Sequence, residues 1–163
     1  MLTAHSVARK DELGLTEGVG LYTIGYEGRG VESFVENLSR AGVDVLVDVR
    51  ELPMSRKPGF SKSKLSRYVT DQGIEYLHLK SLGSPRDSRK KLRESGDFDT
   101  FSREYMDHLE GSSEDLGALV TLISSGRRAA LMCFERDHAQ CHRTLLVQEL
   151  LRDLGEDILI YHL

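Results

Sequence analysis

Short apolar, β-branched runs alternate with stretches of helical periodicity along most of this chain, and that alternation restricts the fold more than any other feature. Leu21–Ile24, Val43–Val49, Ile74–Leu79, Ala129–Phe134 and Ile158–His162 read as strands. Between the first two, Val31, Phe34, Val35 and Leu38 fall at i, i+3, i+4 and i+7, one face of a helix stopped by Gly42. Leu65, Tyr68 and Val69 make the inner face of a second helix, with Ser61 or Ser63 as cap and Gly73 as stop. Phe98, Phe101, Tyr105 and Leu109 repeat the spacing, as do Leu116, Leu119, Val120 and Ile123 up to Gly126. Thr144–Leu154 is the last helix, ended by Gly155, and Lys80–Asp97 reads as a long polar connection. Strands alternating with helices imply βαβ units. The expected fold is α/β, a three-layer sandwich with a mostly parallel sheet of about five strands and helices on both faces.

Residues 1–19 show no periodicity and read as a flexible N-terminal arm, leaving residues 20–163 as a single domain. A chain of 163 residues buries roughly two thirds of its unfolded surface and needs no disulfide staples. Its two cysteines make no disulfide framework, so a reducing, cytoplasmic location is expected. The longest apolar stretches fall far short of the roughly 20 residues of a membrane span. Met1–Glu17 carries no apolar core of a secretory signal, and no membrane partner is expected.

Charge is unevenly distributed. Between Arg50 and Arg93 stand twelve Lys or Arg against four acids, a net of +8, while the rest of the chain is at −12. An acidic protein with one basic stretch is suited to an anionic partner, either nucleic acid or a phosphate-bearing small molecule. A solvated surface face is the plain alternative.

In open α/β sheets ligands bind beyond the carboxyl ends of the strands, and polar residues gather there. Gly25 and Tyr26 follow the first strand, while Asp48, Arg50 and then Arg56 and Phe60 follow the second. Tyr76 belongs to the third, and Cys133 and Glu135 close the fourth. The two-glycine loop Thr23–Arg29 matches neither the Rossmann fingerprint nor the P-loop. His78 and His162 read as rim or core histidines.

The densest cluster is the peptide Cys133–Arg143, which leaves a strand and opens a helix. Four readings of it compete. Cys133, His138, Cys141 and His142 are metal-ligand types, yet seven residues between the cysteines match no common zinc-knuckle spacing. Cys141, beside His142 and Arg143 near a helix start, has the setting of a nucleophilic thiol. The residue six after Cys133 is Ala139, where a cysteine phosphatase loop needs Arg. The cysteines could also simply pack. In the favoured fourth reading Glu135 is the chemical group, and Arg143 and Arg50 bind negative charge. No cofactor is required by it, and zinc remains an option.

These residues also carry a resemblance. Thr23–Gly25, the run Asp48–Arg50 with Pro53–Arg56 and Phe60, Gly73–Tyr76 with Leu79 and Leu82-Gly83, and Cys133-x-Glu135 with Cys141–Arg143 resemble the domain-of-unknown-function 488 family of prokaryotic proteins. Tyr26-Glu27 stand where its commoner form has a His-Ser or similar pair. The resemblance implies an intracellular α/β protein with a polar site built from these motifs, and it brings no settled reaction.

The expected function is therefore an enzyme acting on a nucleic acid or nucleotide-like anion, by hydrolysis, with N-glycosidic cleavage in DNA repair as the sharpest version. Asp48, Glu135 and Arg50 are its catalytic candidates. Gly25, Tyr26, Arg56, Phe60, Tyr76 and Arg143 are candidates for substrate binding, with Tyr26, Phe60 or Tyr76 stacking on an extruded base. A non-catalytic nucleic-acid-binding module is one alternative. Another is a metal or thiol protein centred on Cys133, Cys141 and His142.

Overall fold

Alternate strand residues point to opposite faces of the sheet, and here they feed two separate cores. The computed structural model describes residues 20–155 and 157–163; the expected arm, residues 1–19, lies outside them. Five parallel strands, β1 (Gly20–Gly25), β2 (Val45–Asp48), β3 (Glu75–His78), β4 (Ala129–Cys133) and β5 (Leu159–His162), stand in the order β3-β2-β4-β1-β5. Every residue of β1, β2 and β4 is buried. That is why their sequences are continuous apolar runs.

On one face Tyr22, Ile24, Leu46, Ala130 and Met132 pack under α1 (Val31–Arg40) and α2 (Lys62–Thr70). On the other, Leu21, Val45, Val47, Ala129 and Leu131 pack under α4 (Phe98–Glu110), α5 (Ser113–Ser124) and α6 (His142–Leu154). The α/β three-layer sandwich is thus the observed architecture.

One helix, α3 (Arg86–Ser95), occupies the stretch expected to be a connection. It buries only Ser88 and half-buries Leu92, so no apolar stripe announces it in the sequence. Gly96, at φ 69°, ends it in the left-handed conformation.

The strand order places the site. The chain leaves β1 and β2 toward the α1–α2 face but leaves β4, which lies between them, toward the α6 face. Connections that part on opposite sides open a crevice at the carboxyl end of the strand between them. That end is Cys133. No helix among the described residues is long and apolar enough to cross a membrane.

Candidate functional site at the end of the central strand

β2 ends in a sealed ion pair. Asp48 is wholly buried and accepts from Arg50 Nε at 2.9 Å and Nη2 at 2.7 Å, and from the Tyr76 hydroxyl at 2.5 Å. Arg50 also donates from Nη1 to the Phe60 carbonyl at 2.8 Å and to the Tyr26 hydroxyl at 3.3 Å. Burial works to lower the Arg50 guanidinium, but its bonds to Asp48 outweigh it and hold it above its ordinary value. Burial, then the Asp48 charge, push the Tyr76 hydroxyl well up. Both carboxylate oxygens of Asp48 are therefore engaged inside the protein.

The aromatic candidates are engaged as well. Tyr26 and Phe60 stack on each other at 4.5 Å, and both are buried. Tyr76 is half-buried with its hydroxyl on Asp48. Arg56 stays exposed, while Arg143 is only 1% exposed. The exposed aromatic at the rim is instead Phe134, edge-on to Tyr26 at 5.3 Å. The apolar pattern assigns Phe134 to the fourth strand, whereas β4 stops at Cys133 and frees it.

Beyond β4 the peptide 133–143 folds back on itself. Cys133 donates its thiol to Glu135 Oε2 at 3.2 Å. His142 Nδ1 lies 3.7 Å from the sulfur of Cys133 and 3.7 Å from that of Cys141. Its Nε2 is 2.9 Å from the Val49 carbonyl. A carbonyl only accepts, so Nε2 carries a proton and Nδ1 faces the two thiols. Asp48 and Arg50 flank Val49, so their ion pair adjoins the residue whose carbonyl faces His142.

Cys141 is the residue before the first turn of α6, where free N–H groups and the helix dipole favour negative charge. Arg143 Nε donates to its sulfur at 3.2 Å, and Arg143 Nη2 donates to the Glu135 carbonyl. Burial acts to raise the Cys141 thiol, yet the neighbouring Cys133 thiol and the charges of His142 and Arg143 pull it well below its ordinary value. Cys133 moves the other way, pushed up by the neighbouring Cys141 sulfur and by burial. His142 is lowered by burial but raised overall by the Cys141 charge. Glu135 is raised by burial and by the same sulfur.

The two sulfurs and His142 Nδ1 lie within 4.8 Å of one another, and this set can hold a metal ion. A ligand histidine whose other nitrogen donates to a main-chain carbonyl is the usual arrangement at such sites. Of the cysteine and histidine residues singled out in the sequence, His138 falls outside the set. Its ring stacks instead on His162 at 3.4 Å, and His162 Nδ1 is 2.6 Å from the Thr23 hydroxyl. Neither contact has a signal in the sequence, because β5 meets this loop only through the strand order.

Gly25 has a packing role rather than a turn role. Any Cβ there would overlap the Glu135 main chain, so glycine lets β1 lie directly against the peptide that carries the carboxylate.

No curated protein and no solved structure matches this chain. A family model does, over residues 30–150, a range that takes in both the Asp48–Arg50 ion pair and the Cys133–Arg143 peptide but begins after Gly25 and ends before β5. With most of its length so matched, the chain belongs to the family described as domain of unknown function DUF488.

Proposed function

We propose that the protein is a hydrolytic enzyme acting on a nucleic acid or nucleotide-like anionic substrate, with its reacting groups at the carboxyl end of β4. We rest this on one observation: two thiols, an oriented imidazole nitrogen and a carboxylate converge at the point where the connections part. Cys133, Cys141 and His142 are of the donor types zinc prefers, and they would hold the ion. A zinc ion there would supply Lewis acidity. Glu135, with Oε2 3.2 Å from the Cys133 sulfur, is the group placed to move protons. Asp48 and Arg50 act as positioning residues, through the Val49 carbonyl. Cleavage by a pair of carboxylates finds less support, because both oxygens of Asp48 are already engaged.

A second reading, Cys141 as a nucleophile, is favoured by the Arg143 hydrogen bond to its sulfur and by its place at the start of α6. Metal analysis of the purified protein, with turnover on nucleotide and oligonucleotide panels before and after chelation, separates the two. Zinc at one per chain, lost in Cys141→Ser and His142→Ala, with product formation abolished by Glu135→Gln, supports the metal-assisted hydrolase. Full activity without metal, blocked by a thiol-alkylating reagent, replaces it with the nucleophile. Protein without metal and without turnover overturns both.

A further inference from the structure

Pairing of the basic stretch differs along its length. On the α3 side three of the six cations are paired, Arg89 with Glu51, Lys90 with Glu94 and Lys91 with Glu104. Residues 52–70 contain five cations, Arg56, Lys57, Lys62, Lys64 and Arg67, and no acid. None of the five makes an ion pair among the described residues, and all but Lys57 are exposed.

Exposed apolar side chains collect on the same segment. Leu52 is 48% exposed, Met54 76% and Tyr68 41%. A shallow, open depression lies between the loop and α2, lined by Pro53, Met54, Ser61, Lys62, Ser63 and Ser66. The loop itself, beside this depression, touches the candidate site. Lys57 Nζ donates to the Tyr26 carbonyl at 3.0 Å, Phe60 stacks on Tyr26, and Tyr26 meets Phe134 between Cys133 and Glu135.

We infer that the 52–70 surface binds single-stranded nucleic acid and leads it to the end of β4. The inference rests on the reading of that site as one for nucleotide-like substrates, and it gives the substrate its polymeric form. Uncompensated cations with serine hydroxyls suit a phosphodiester backbone, and interleaved apolar and aromatic side chains suit unpaired bases. A duplex offers no free base faces to Met54 or Tyr68. A bilayer fits worse, because α2 turns its apolar residues Leu65 and Val69 into the core and has no apolar face to insert.

The test is fluorescence anisotropy of a labelled oligothymidylate with the full chain across a potassium chloride series. Binding should weaken with salt, and the combined Lys62→Ala, Lys64→Ala, Arg67→Ala variant should make the log–log slope shallower by about 2. Tyr68→Ala should weaken binding roughly tenfold at constant slope. Circular dichroism and metal content should be unchanged in both variants. Protein treated with a chelator should bind the oligonucleotide as untreated protein does, so a failed site leaves this result standing. The inference is overturned by no binding at low salt, by a triple variant with the parental slope, by equal affinity for duplex, or by binding to phosphatidylserine vesicles in place of the oligonucleotide.

Discussion

Gly25 and Glu135 meet backbone against backbone, with no room for a side chain on the glycine. Gly25→Ala should therefore move the Glu135–Arg136 peptide, at a cost of about 1–3 kcal/mol typical of overpacking. Glu135 and Cys133 would separate, and the shifted peptide would disturb the proposed metal site. Gly117, in α5 with open space around it, is the control: Gly117→Ala should stabilise by about 0.5–1 kcal/mol. Urea unfolding and metal titration of the two variants check both statements.

Asp48→Asn leaves the Arg50 guanidinium buried without its counter-charge. The expected loss is about 3–5 kcal/mol, read from the unfolding midpoint at neutral pH. Tyr76→Phe removes one hydrogen bond from a carboxylate that keeps its arginine, and should cost about 1–2 kcal/mol. A variant Asp48→Asn as stable as the parent would show that the pair does not stabilise this end of β2.

The His162 ring sits at about 4, well below its ordinary 6.5, through desolvation and then the charges of His138 and Arg143. Above pH 6.5 the ring is neutral both folded and unfolded, and it adds no pH dependence. Between about 6.5 and about 4 the unfolded chain binds a proton that the folded chain refuses, so stability falls with acid through that window. His162→Gln should remove this part of the slope, and an NMR titration of the imidazole should place its midpoint near 4. A midpoint at the ordinary value would mean that the ring is not desolvated against this loop.

Arg143→Met takes a donor from the Cys141 sulfur and another from the Glu135 carbonyl. In metal-free protein the Cys141 thiolate should then titrate at higher pH, followed by its ultraviolet absorbance in a Cys133→Ser background. Arg143→Lys should restore only part of the effect, since an ammonium cannot bridge both acceptors in the guanidinium's fixed geometry.

The sheet was legible in the sequence because its three inner strands are buried on both faces and leave unbroken apolar runs. Helix α1 was legible because Val31, Phe34, Val35 and Leu38 share one face. Helix α3 was not, since it floats on charge with Leu92 as its sole apolar anchor. At the site, the sequence brings Cys133, Glu135, Cys141, His142 and Arg143 to attention as one short peptide. It does not reveal that Asp48 has its oxygens occupied, because that depends on Tyr76 lying one strand away. Nor does spacing reveal the cysteine–histidine set, for the peptide doubles back between its ends. The Val49 carbonyl that orients His142 leaves no trace in residue identity at all.

The central place of β4 also governs the order of assembly. β1 is made first, yet its partners are β4 and β5, and β2 finds its inner neighbour only in β4. Until the chain has been synthesised past Ala129, β1 has nothing to pair with and β2 shows an open edge. Such edges are templates for intermolecular pairing. Closing the sheet requires contacts between distant parts of the chain, which slows folding. The strand that closes it delivers Cys133 in the same movement, so an incomplete chain has neither a continuous sheet nor a site.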